Sequence, residues 1–164
     1  MNELSPLKVL LDTLPQVGRV EWISIRPARN EAALILDEVE ISLEKGLVGD
    51  RFGGKAGSPR QVTIIQKEHL DVIGACLNRG SIDPALVRRN IVVSGINLLA
   101  LKGKTFQIGD AVLEYTGLCH PCNKMERALG AGGYNAMRGH GGITARVIEG
   151  GMVRLTDSVS YKPK

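Results

Sequence analysis

Cys119, His120, Pro121 and Cys122 form the stretch best suited to do chemistry, with two of the chain's three cysteines and one of its three histidines. Upstream, Ala111 to Tyr115 alternates like a strand; downstream, Met125 and Leu129 share one face of a short helix. Proline is tolerated in a first helical turn, where its missing N–H costs nothing. Cys122 is therefore expected at a helix start, where unpaired N–H groups and the helix dipole favour a thiolate, the form that binds metals or carries sulfur.

Four readings of this CxxC stand side by side. A thioredoxin-type redox pair calls for a βαβ context near the N-terminus, and this motif comes late in a β-rich chain. Structural zinc needs four ligands, and only Cys76, His69 and His140 are left to complete a set, none at diagnostic spacing. A single working cysteine would ligate a soft metal or carry a persulfide. The last reading is a partly buried turn without chemistry. Cys76, in a helix with Leu70, Ile73 and Leu77, reads as core, as do Trp22 and Phe106. Alkylation is expected at Cys122 first, Cys119 second and Cys76 last.

A second group is cationic: Arg51 after Gly49-Asp50, Arg60-Gln61, Arg88-Arg89-Asn90 and Arg138-Gly139-His140-Gly141-Gly142, all in loops or at element ends. An arginine fork donates paired hydrogen bonds to phosphate, and neighbouring glycines let backbone N–H groups approach an oxyanion. Taken singly, each reads first as a solvated arginine or a loop that merely turns a corner. The Gly-rich loop fits neither the phosphate loop of nucleotide hydrolases nor the dinucleotide fingerprint.

The elements that must position these residues are mostly strands. Leu4 to Leu14 has helical spacing, with Ser5-Pro6 as a start and Pro15 as a stop. Arg19 to Ile25, Ala33 to Ile41, Gln61 to Ile65, Asn90 to Ser94, Thr105 to Ile108, Ala111 to Tyr115, Ile143 to Glu149 and Met152 to Leu155 read as strands. Lys67 to Leu77 and a short segment from Asp83-Pro84 to Arg88 read as helices. Gly109-Asp110 and Gly150-Gly151 are expected to be hairpin turns. Glu44 to Arg60, with five glycines, is a loop; Gly130 to Gly142, with six, is loop with one helical turn at Tyr134 to Met137. The expectation is a mainly β fold, barrel-like, with few peripheral helices. Residues 1–17 form a helical extension and 18–164 the barrel domain.

Composition narrows the partners. With 164 residues, 43% hydrophobic and 23% charged, the chain can bury a sizeable core. An odd cysteine count argues against a disulfide framework. A net charge of +4, no polybasic run and 4% aromatics point away from nucleic acid. No apolar run reaches membrane-spanning length and no leader pattern opens the chain, so a cytoplasmic protein without a membrane partner is expected.

Several segments, in order, resemble one family: Gly46-Leu47-Val48-Gly49-Asp50-Arg51, Arg60-Gln61-Val62-Thr63, Arg89-Asn90-Ile91-Val92-Val93-Ser94-Gly95-Ile96-Asn97-Leu98, Gly103, Ile108-Gly109-Asp110-Ala111, Pro121-Cys122 and Gly142-Ile143-Thr144-Ala145-Arg146-Val147. From about Gly18 onward the chain resembles a stand-alone MOSC domain, the module named after the C-terminus of molybdenum-cofactor sulfurases. The resemblance implies a closed or nearly closed β-barrel and one reactive cysteine, Cys122, that binds molybdenum or carries sulfur. It implies a molybdenum–pterin cofactor and reduction of N-hydroxylated or N-oxygenated small molecules, with a separate electron-donor protein. Arg51, Arg60, Arg89, Asn90 and Arg138 would contact the cofactor, and His140 would serve substrate or proton transfer. The rival functions are a sulfur or cofactor carrier docking on a partner enzyme, and a thiol–disulfide protein using Cys119 and Cys122. Two positions depart from the family: Cys119, where many relatives carry arginine or another residue, and Thr156-Asp157, where Gly-Asp is usual.

Overall fold

A computed structural model describes residues 5–164. The helices are α1 (Pro6–Leu11), α2 (Lys67–Cys76), α3 (Pro84–Val87), α4 (Asn123–Leu129) and α5 (Gly133–Met137), with one 3-10 turn at Leu98–Leu101. The strands are β1 (Val17–Ile25), β2 (Leu34–Leu36), β3 (Glu38–Ser42), β4 (Gly46–Leu47), β5 (Val62–Gln66), β6 (Ile91–Ser94), β7 (Thr105–Ile108), β8 (Ala111–Leu118), β9 (Ile143–Glu149), β10 (Gly151–Arg154) and β11 (Ser158–Tyr161). The Leu4 end of the expected first helix lies outside the described residues.

Seven strands close a barrel in the order β11, β7, β8, β9, β5, β6, β1 and back to β11. The expected mainly β barrel is therefore what the chain forms. One edge of β1 serves twice: Val17 to Arg19 pair with β11 and close the barrel, while Ile23 to Ile25 pair with β2. All barrel pairs are antiparallel except β5 with β6, which α2 and α3 connect. A second, three-stranded sheet runs β10, β3, β4.

Gly109-Asp110 makes the expected hairpin, with Ile108 opposite Ala111 and Gly109 at φ +55°. Gly150-Gly151 does not. β9 stays in the barrel, whereas β10 leaves to pair with β3. Neither glycine has a positive φ; a Cβ on Gly150 would strike the Ile41 carbonyl, and one on Gly151 the Asp110 backbone. Close packing, not turn geometry, explains this pair. The expected strand Ala33 to Ile41 likewise divides at Asp37 between the two sheets.

Alternation sorts the side chains into two cores. Ile64, Ile91, Val93, Phe106, Leu113 and Ala145 fill the barrel. Their neighbours Ile65 and Val92 face outward under the helices, against Leu70, Ile73, Met125, Leu129 and Met137, with Trp22 half-buried at the margin. Strands buried on both faces read as continuous apolar runs, as β5 and β6 do. On α2 the buried stripe is Leu70, Ile73 and Gly74. Cys76 falls to its side and is exposed, a correction to the expected core position.

Candidate functional site

The site is built from ends of barrel strands. Asn90, just before β6, accepts from the Thr63 N–H and hydroxyl at 3.1 Å each, and its Nδ2 donates to the Ser24 carbonyl at 3.4 Å. Ser24 Oγ donates to the Arg89 carbonyl at 3.1 Å. These bonds strap Arg88-Arg89-Asn90 between β1 and β5. Arg88 caps α3 in the left-handed region at φ +62°. On the facing loop, Asp50 Oδ1 accepts from the Arg26 N–H at 2.8 Å, and the Arg51 N–H donates to the Arg26 carbonyl at 2.7 Å.

The result is a cleft of about 470 Å³ with Arg26, Arg51, Arg60, Arg88, Arg89, Asp50 and Asn90 in its wall. Five arginines and one aspartate line it, and among the described residues none of the five arginines is in an ion pair. Burial lowers the pKa of Arg26, and the nearby Arg88 adds to the effect. Arg51, Arg60, Arg89 and Asn90 thus come together as a group. Arg26 and Arg88 join them: Arg88 stood in the Arg88-Arg89-Asn90 motif, but Arg26, at the end of a strand, gave no signal in the sequence.

Arg89 differs from the others. It is only 7% exposed and donates from Nε to the Gly141 carbonyl at 2.7 Å, from Nη1 to Val87 at 2.8 Å and from Nη2 to Cys119 at 3.2 Å. Burial pushes its pKa down, while the nearby sulfurs of Cys119 and Cys122 act in the opposite sense. Arg89 therefore joins the cleft to the cysteine turn.

In that turn Cys122 is the N-cap of α4, so Pro121 precedes the helix instead of occupying its first turn. Cys122 is exposed; Cys119 is 3% exposed, and its N–H donates to the Gly142 carbonyl at 2.8 Å. All three cysteines are free. Arg138 lies elsewhere, on a second pocket with His120, Pro121, Tyr134 and Gly139. His140 lines neither cavity. Its ring meets His69 edge-on at 5.1 Å between centroids, with Nδ1 buried and unpartnered.

Residues 50–160 match the MOSC domain model, two thirds of the chain, and with the barrel in view that match decides its kinship. The chain belongs to the MOSC domain family. At that level it is a molybdenum-cofactor-related sulfur-carrier or binding protein. No curated protein sequence matches it. Among solved structures, the YuaD protein of Bacillus subtilis is 23% identical, with a TM-score of 0.75 over 89% of this chain and 97% of that one. YiiM of Escherichia coli is 19% identical, TM-score 0.67, over 89% and 70%. YiiM of Geobacillus stearothermophilus is 14% identical, TM-score 0.71, over 88% and 75%. At these identities the likeness is one of fold. The Thr156-Asp157 departure from the MOSC pattern has a visible cost: Thr156 sits at φ +73°, a conformation that suits glycine. Among the described residues no helix is long and apolar enough to cross a membrane.

Proposed function

We propose that this MOSC protein is a molybdenum-cofactor-binding oxidoreductase that reduces N-oxygenated small molecules, with Cys122 as the thiolate ligand of the metal. One observation carries the reading: five arginines, none in an ion pair among the described residues, line a cleft joined through Arg89 to the cysteine turn. Like charges gathered this closely repel, and a multiply charged anion relieves the repulsion.

The donor set fits the pterin cofactor. Among the described residues no three His, Cys, Asp or Glu side chains are grouped to hold a metal ion. A metal at Cys122 would arrive already chelated, and a single soft thiolate suits a dithiolene-bound molybdenum. When bound, the cofactor supplies two-electron chemistry at its metal. Arg51, Arg60 and Arg88 would donate to the phosphate. Arg26 contributes charge, since its Nη1 and Nη2 already donate to the Glu31 and Ala85 carbonyls. Arg89 and Asn90 hold the wall in shape through the bonds described above. Electrons would come from a separate donor protein.

The exposure of Cys122 also favours a second reading, a sulfur or cofactor carrier without turnover. Protein made in cells that produce the cofactor separates the two. The oxidoreductase reading expects bound molybdenum and reduction of an N-hydroxylated amidine by an artificial low-potential donor. Bound sulfur or molybdenum without turnover indicates the carrier. Arg51→Ala and Arg88→Ala should each weaken cofactor retention about tenfold, the worth of a charge-assisted bond at a partly exposed site. Unchanged retention in both would remove the cofactor from this cleft.

A further inference from the structure

The Cys119–Cys122 turn has a second flank. There His120 and Pro121 join Tyr134, Arg138 and Gly139 around a pocket of about 530 Å³, separate from the arginine cleft and comparable with it in size. Its far wall is firmly held. Glu126 accepts from the Gly132 and Tyr134 N–H groups at 2.7 Å each, tying the start of α5 to α4. Met137 is buried in the outer core below. Tyr134 lies on this short helix and Arg138 caps its C-terminal end, so both stand on a fixed platform.

The free groups of this pocket define a ligand. Arg138 has no ion-pair partner among the described residues, and its one side-chain bond, Nη1 to Asn135 Oδ1, is long at 3.5 Å. A single unpaired guanidinium suits a monoanion, in contrast to the five arginines that line the first cleft, and its planar fork matches a carboxylate. Tyr134, 42% exposed, offers a ring face, and His120 and Pro121 line the same pocket. A Cβ at Gly139 would meet nothing within 4 Å, so the pocket is open there.

The geometry points to this pocket as a binding site for a small planar aromatic carboxylate, with its carboxylate on Arg138 and its ring against Tyr134. Resting on the oxidoreductase reading, the ligand is the substrate: an N-oxygenated aromatic compound bearing a carboxylate. The binding site itself does not depend on that reading.

Benzoate and its uncharged counterpart benzamide test the site on the full chain without cofactor. Wild-type protein titrated with benzoate should show saturable NMR shifts of the His120 and Tyr134 ring signals, with benzamide binding at least about tenfold more weakly. Arg138→Ala should weaken benzoate by a similar factor, whereas Arg51→Ala leaves it unchanged. Tyr134→Leu, which keeps an apolar surface but loses the ring, should weaken both compounds alike. Shifts confined to cleft residues, equal binding of benzamide, or indifference to Arg138→Ala would overturn the proposal. If benzoate binds here while cofactor-loaded protein reduces no N-oxygenated compound, the site stands and the oxidoreductase reading falls. If the loaded protein turns over but benzoate does not bind, the site falls and the oxidoreductase reading stands.

Discussion

Arg89 Nε lies 2.7 Å from the Gly141 carbonyl, so a residue in the cleft wall also fixes the loop behind the cysteine turn. A Cβ on Gly141 would collide with the Cys119 carbonyl, which explains a glycine there. Arg89→Ala would strand three carbonyls, on Val87, Cys119 and Gly141, in the interior. The expected loss is about 3 kcal/mol or more in chemical denaturation, with faster alkylation of Cys119 in the folded protein. Arg89→Lys cannot span all three acceptors and should recover only part of the stability. Wild-type stability in Arg89→Ala would show the clamp to be dispensable.

Exposure reverses part of the alkylation order expected from sequence. Cys122 and Cys76 are exposed and should both react in the native protein, whereas Cys119 should react only on unfolding. Mass spectrometry after a short pulse of a small alkylating reagent reads this out. Under the proposed function, Cys122→Ser abolishes molybdenum content while Cys119→Ser and Cys76→Ser keep it. Equal dependence on Cys119 and Cys122 would instead mark a thiol–disulfide pair.

Acid sensitivity should begin near neutrality. Burial holds the His69 pKa below its ordinary 6.5, the facing His140 adds to this, and Glu68 opposes it. The unfolded chain therefore takes up a proton first as the pH falls. The contribution to stability is complete above 6.5 and declines as the pH drops through 6.5 toward the folded value. Urea unfolding midpoints measured across this range should fall in the wild type and flatten in His69→Gln. An identical profile in both proteins would assign the acid sensitivity to other groups.

Thr156 is exposed, has no side-chain hydrogen bond among the described residues, and holds φ at +73°. Only its N–H is used, donating to the Val20 carbonyl at 2.9 Å. Thr156→Gly keeps that bond and removes the strain of a β-branched residue in the left-handed region, roughly 1–2 kcal/mol. The added freedom of glycine in the unfolded chain offsets about half, so a net gain of about 0.5–1 kcal/mol is expected in thermal unfolding. A lower melting temperature would show that the turn prefers threonine.

What could be read from sequence was local. β7 and β9 fall where alternation put them, and the Gly109-Asp110 turn has the geometry its residues demand. What could not be read was pairing between distant segments. β5 beside β6 in parallel, and β10 beside β3, depend on contacts across the chain. β11, Ser-Val-Ser-Tyr, is too short and polar to announce itself. The site shows the same division. Arg51, Arg60 and Arg89 were visible because they stand in polar loops or at element ends, whereas Arg26 reaches the cleft where Asp50 holds the facing loop against its backbone.

The seam between Val17–Arg19 and Ser158–Ser160 has a bearing on biosynthesis. The barrel cannot close until the segment around residue 160 has left the ribosome, so Val17 to Arg19 must wait with that edge unsatisfied while all the intervening strands are made. Long-range closure of this kind slows folding, and an open strand edge invites pairing with other chains. Translation rate and chaperone supply should therefore govern the yield of soluble protein more strongly than small changes in final stability.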